Sequence, residues 1–123
     1  MHRVVLVGMW VLAISMATGI GSARAEFGAL AHDDTTGKYG LSSNEETQSK
    51  ADDVALKECA SNNCKIVFRM GPKECGAIAT AESGTAWGAG KRPDRAKAEL
   101  DAMTNCQKRT KGQCKIRSSE CNR

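Results

Sequence analysis

The stretch Gly28-Ala-Leu-Ala31 returns as Gly76-Ala-Ile-Ala79, and the residues beyond each copy are also alike. Gly37-Lys-Tyr-Gly40 corresponds loosely to Gly84-Thr-Ala-Trp-Gly88, with Tyr39 opposite Trp87. Ala51, Ala55, Leu56 and Cys59 correspond to Ala98, Ala102, Met103 and Cys106. Cys64-Lys-Ile66 closes the first copy and Cys114-Lys-Ile116 the second. Solenoids need three or more repeats to bury a continuous core. Two copies, 27–70 and 76–121, predict instead one domain made of two pseudo-symmetric halves.

Each copy reads strand, turn, strand, helix, strand. Residues 27–31 and 76–80 are apolar runs of strand length. Asp33-Asp-Thr-Thr-Gly37 and Glu82-Ser-Gly84 carry turn chemistry. The first helix is expected from an N-cap at Thr47 to about Cys59, and the second from an N-cap at Asp94 to about Lys108. Ala51, Ala55 and Cys59 share a face, as do Ala98, Ala102 and Cys106, because four-residue steps nearly complete a turn. Small side chains on that face let a helix sit close to a sheet. In Lys65–Met70, alternation predicts Ile66, Phe68 and Met70 on one inward face. Lys115–Ser119 is read as the last strand. The expected class is α+β: an antiparallel sheet packed with two helices and stapled by disulfides.

The staples are Cys59, Cys64, Cys75, Cys106, Cys114 and Cys121. Six cysteines allow 15 pairings, and the repeat selects one. Cys59 with Cys64, and Cys106 with Cys114, each close a helix–strand link in their own copy. Cys75 and Cys121 remain, and a bridge between them is expected to join the two halves. Zinc is disfavoured because no Cys-x2-Cys or His-x3-5-His pair occurs, so no metal site is expected.

The chain has 123 residues, enough for one domain. Its first 25 residues carry two basic groups, no acid and no cysteine. Val4–Ile20 is apolar and Ala23-Arg-Ala25 fits a small-x-small cleavage site. Residues 1–25 are therefore expected to be a signal peptide, followed by a single domain over 26–123 in the periplasm or outside the cell. No transmembrane anchor is expected after cleavage, since no later apolar run approaches the ~20 residues of a span. An oxidising compartment agrees with six paired cysteines.

Gly-Ala-Leu/Ile-Ala, then Trp/Tyr-Gly, then an Ala-rich helix ending in Cys, then Cys-Lys-Ile-Val resembles a bacterial exported family, that of the domain of unknown function 4189. Cys75-Gly-Ala-Ile-Ala79 opens the second half as it does there. The resemblance spans nearly all of 27–121. It implies the fold and an exported location, and no catalytic residues. The chain departs from the family in having Tyr39 where Trp is frequent, and a more polar closing strand, Ile116–Cys121.

No catalytic motif stands out. His32 beside Asp33 and Asp34 is the one arrangement from which a histidine base oriented by an acid could be built. The expected reading is a solvated turn histidine. Glu45, Glu46, Asp52, Asp53 and Glu58 belong to the outer face of the first helix rather than to a glycosidase pair. Gly84–Lys91 lacks the glycine and the Ser/Thr of a phosphate loop. No cofactor is expected. Charge is more informative: residues 26–75 carry six basic and nine acidic side chains, and residues 76–123 carry ten and five. Lys91, Arg92, Arg95, Lys108, Arg109 and Lys111, with Trp87, are the candidate binding residues for a protein or an anionic envelope component. Nucleic acid is disfavoured, because stacking aromatics are few. The sequence thus predicts an exported small binding or inhibitor-type protein without catalytic activity. The alternatives are a small hydrolase using His32 with Asp33 or Asp34, and a passive stress-related envelope protein.

Overall fold

The computed structural model describes residues 26–123; the expected signal peptide lies outside the described residues. The first half contains β1 (Phe27–His32), β2 (Tyr39–Glu45), α1 (Gln48–Cys59) and β3 (Lys65–Met70). The second contains β4 (Cys75–Ala81), β5 (Trp87–Arg92), α2 (Arg95–Gln107) and β6 (Cys114–Cys121). Each half builds its own antiparallel sheet, ordered β2-β1-β3 and β5-β4-β6.

Both helices start where their caps dictate. The Thr47 side chain accepts the Lys50 amide, and the Asp94 side chain accepts that of Lys97, each at 3.0 Å. Each cap satisfies one of the orphan N–H groups of a first turn. The buried alanines of α1 pack on Ala29 and Ala31 of β1, and those of α2 on Ala77 and Ala79 of β4. Gly40 and Gly88 permit this approach. A Cβ on either would overlap helix backbone, at Ala55 O and Cys59 N in one half and at Ala102 O and Cys106 N in the other.

The other sheet faces meet each other. Leu30, Leu41, Met70 and Ile78 form a third core, joined by Phe68, Tyr39, Trp87 and Ala89. The order of layers is helix, sheet, sheet, helix. One expectation about the strands is overturned. Ile66 packs with α1, whereas Phe68 and Met70 face the opposite sheet. The cause is a shift in the β1–β3 register, with Leu30 opposite Phe68 but Ala31 opposite Ile66. The extra residue, Val67, reverses the alternation. β6 repeats the shift: Ile78 faces Ser118 and Ala79 faces Ile116, leaving Arg117 as the extra residue.

The three expected disulfides are present, Cys59–Cys64, Cys75–Cys121 and Cys106–Cys114. The Cys75–Cys121 bridge does not join the halves, however. Cys75 opens β4, and Cys121 faces it across the β4–β6 ladder. It therefore closes the second half on itself.

Candidate functional site

His32 is the last residue of β1. Gly28, Leu30 and His32 alternate toward the space between the sheets, so the ring points inward, with 1% of its side chain exposed. This overturns the reading of a solvated turn histidine. Trp87, at the start of β5, stacks on it with ring centroids 4.0 Å apart and planes at 24°. The Asp34 carboxylate lies 3.0 Å from His32 Nδ1 and accepts the Trp87 indole N–H at 3.1 Å. The Arg109 guanidinium lies over the indole, 5.1 Å from its centroid, and donates to Trp87 O at 3.1 Å. Four side chains from two loops and two strand ends thus lock one another.

Burial lowers the His32 pKa and outweighs the hydrogen bond and charge of Asp34, which raise it; the Arg109 charge adds to the lowering. The ring is accordingly neutral at pH 7. An ionised carboxylate only accepts, so the proton sits on Nδ1 and the Nε2 lone pair is left bare. That nitrogen is buried without a protein partner. Asp33 is a different case. It is fully buried and takes the amide and hydroxyl of Thr35 at 2.8 and 2.7 Å and the hydroxyl of Ser61. These bonds hold its carboxyl well below the usual carboxylate range. They make it the anchor of the 33–37 turn rather than a partner of His32.

Two clefts flank the His32–Trp87 pair, and both residues line each. The larger, about 430 Å³, is walled by Asp34, Lys65 and Val67 among others. The smaller, about 330 Å³, is walled by Tyr39, Thr80, Thr85 and Arg117.

The candidate basic residues do not form one patch around this site. Arg109 alone among them contacts Trp87. Lys91 donates to Arg69 O at 3.0 Å, Arg92 pairs with Asp101 at 2.6 Å, and Arg95 is held on Ser119 at 2.8 Å. Arg95 opens α2, whereas Lys108, Arg109 and Lys111 follow its end. The helix has 13 residues, which puts these groups about 20 Å apart. Sequence reasoning missed the inward placement of His32, and the signal for it was the alternation from Gly28. Arg117 is legible in the sequence only as one of the basic residues that follow the second helix; its place in a cleft comes from the register shift in β6.

Among the described residues no group of three or more His, Cys, Asp or Glu could hold a metal ion. No helix among them is long and apolar enough to cross a membrane. Comparison with curated proteins and with solved structures gives no match. A protein-family model described as "Domain of unknown function (DUF4189)" matches residues 27–121, nearly the whole described chain, and the chain belongs to that family.

Proposed function

We propose that this is an exported binding protein of the small inhibitor-like type, taking its ligand at the Trp87 face. The observation that carries the reading is the locked state of Trp87. It is half-buried, stacked on His32, bonded to Asp34 and covered by Arg109. A rigid aromatic between two clefts offers contact area at little entropic cost. The three disulfides agree with a non-cytoplasmic location. The basic groups Lys108 and Lys111 adjoin Arg109 in the chain and bias the partner toward an acidic one.

A second reading is favoured by one observation, the His32–Asp34 bond at 3.0 Å. It orients an imidazole as in a hydrolase. No hydroxyl or thiol of the described residues bonds Nε2, and every cysteine is bridged. A water nucleophile admitted by movement of Trp87 would then be required.

The test is capture of envelope and secreted components by the purified oxidised protein, at moderate and high salt, with Trp87→Leu and Arg109→Glu beside it. Stoichiometric binding that Trp87→Leu abolishes and salt weakens is expected. Binding that survives both substitutions overturns the site. A hydrolytic activity lost in His32→Gln, with the near-ultraviolet circular dichroism unchanged, favours the second reading.

A further inference from the structure

The two sheets carry the same bulge but different residues in it. Val67 is the extra residue of β3 and Arg117 that of β6. A bulge re-aims the side chain it carries, and here each bulged residue lines a cleft. Val67 lines the larger and Arg117 the smaller. The Arg117 Nε donates to Thr80 Oγ1 at 2.6 Å, which fixes the guanidinium at the cleft wall. Its terminal nitrogens take no other protein partner among the described residues. The charge environments also differ. Asp33 and Asp34 line the larger cleft, whereas no acidic residue lines the smaller.

We infer that the smaller cleft is a site for a carboxylated saccharide unit, such as a uronic acid residue of a glycan. The inference rests on the reading of Trp87 as a binding face and names the ligand class. Three features of the cleft point to it. The free edge of Arg117 matches a carboxylate in a two-pronged bond. Trp87, its indole held between His32 and Arg109, borders the cleft beside Ala81 and Ala86 and supplies an apolar margin for the C–H groups of a sugar ring. Tyr39, Thr80 and Thr85 supply hydroxyls to pair with ring hydroxyls. The volume, about 330 Å³, is at the small end of ligand pockets. A simple inorganic anion would use Arg117 alone, and a neutral sugar would leave its charge unanswered.

The experiment titrates the oxidised protein with a galacturonate tetramer, a neutral galactose tetramer and inorganic phosphate. The emission of Trp87 is the readout, with Trp87→Phe as control. The uronate is expected to change the emission saturably and to bind at least about tenfold tighter than the neutral tetramer. Arg117→Gln is expected to lose about tenfold in uronate affinity, with Arg117→Lys recovering only part because its single ammonium cannot fork. Near-ultraviolet circular dichroism confirms that both variants keep the fold. Equal affinity for the two tetramers, uronate binding unchanged in Arg117→Gln, or equally tight phosphate binding each overturns the inference. So does the absence of any saccharide response. A Trp87-dependent partner captured from the envelope fraction would still stand in that case, so failure of the ligand class is separable from failure of the binding face.

Discussion

The side-chain oxygen of Asn122 accepts the Asn44 amide at 2.8 Å, and the side-chain oxygen of Asn44 accepts the Arg123 amide at 2.9 Å. Asn122 follows β6, and Asn44 lies near the end of β2 in a left-handed conformation, with φ 56°. The Asn122 amide nitrogen also donates to Gly71 O at 2.8 Å and to Met70 O at 3.3 Å. The end of the second half is thereby buttoned onto the first, a role the sequence had assigned to a disulfide.

Asn122→Ala is expected to cost about 1–3 kcal/mol, because it strips the partners from several buried backbone groups at once. Asn122→Asp keeps the acceptor toward Asn44 but sets a carboxylate against two carbonyls, and should not rescue. Urea denaturation of the two variants checks this. Wild-type midpoints would show that solvent replaces the bonds.

Loss of the Cys75–Cys121 bridge is expected to be the most costly disulfide change. It spans 46 residues of sequence, against 5 for Cys59–Cys64 and 8 for Cys106–Cys114. On the loop-entropy model these separations give about 4, 2 and 2.5 kcal/mol. Paired Cys→Ser variants compared by chemical denaturation test the ranking. Three equal losses would overturn it.

Gly88→Ala should destabilise by about 1–3 kcal/mol or more, since the new methyl overlaps α2 backbone at Cys106 and Ala102. Gly37→Ala is the contrast. Nothing lies within 4 Å of a Cβ there, but φ is +80°, so the cost is left-handed strain alone, about 1–2 kcal/mol. Thermal melts of the pair separate crowding from backbone strain.

Acid should weaken the fold in two steps. Burial lowers the His32 pKa from 6.5. As pH falls below that value the unfolded chain takes up a proton that the native ring still refuses. The unfolded state then binds more protons, and stability, complete above about pH 6.5, declines toward the folded pKa. Asp33 adds a second loss below its ordinary 3.8, because its folded carboxyl stays ionised where the unfolded one protonates. His32→Phe preserves an aromatic ring under Trp87 and should erase the first step but not the second. Melting temperatures from pH 7.5 to 3 check it. An unchanged profile in His32→Phe would mean that the ring does not set the first step.

Much of this protein was legible in its sequence because the information was local. Caps at Thr47 and Asp94, alanines four residues apart, turn residues at 33–37 and 82–84, and cysteines bracketing each helix–strand link all act over a few residues, where periodicity and turn chemistry decide. Tertiary structure decided what depends on register and on how the sheets face one another. One extra residue in β3 turned Ile66 away from Phe68, and its counterpart in β6 sent Arg117 into a cleft. The side-chain period of a strand is two, so a single inserted residue reverses every later side chain, and composition carries no record of it. The same holds for His32, Asp34, Trp87 and Arg109. Local chemistry makes each an ordinary surface candidate, and only the packing of sheet on sheet brings a β1 end, a turn, a β5 start and the tail of α2 to one place.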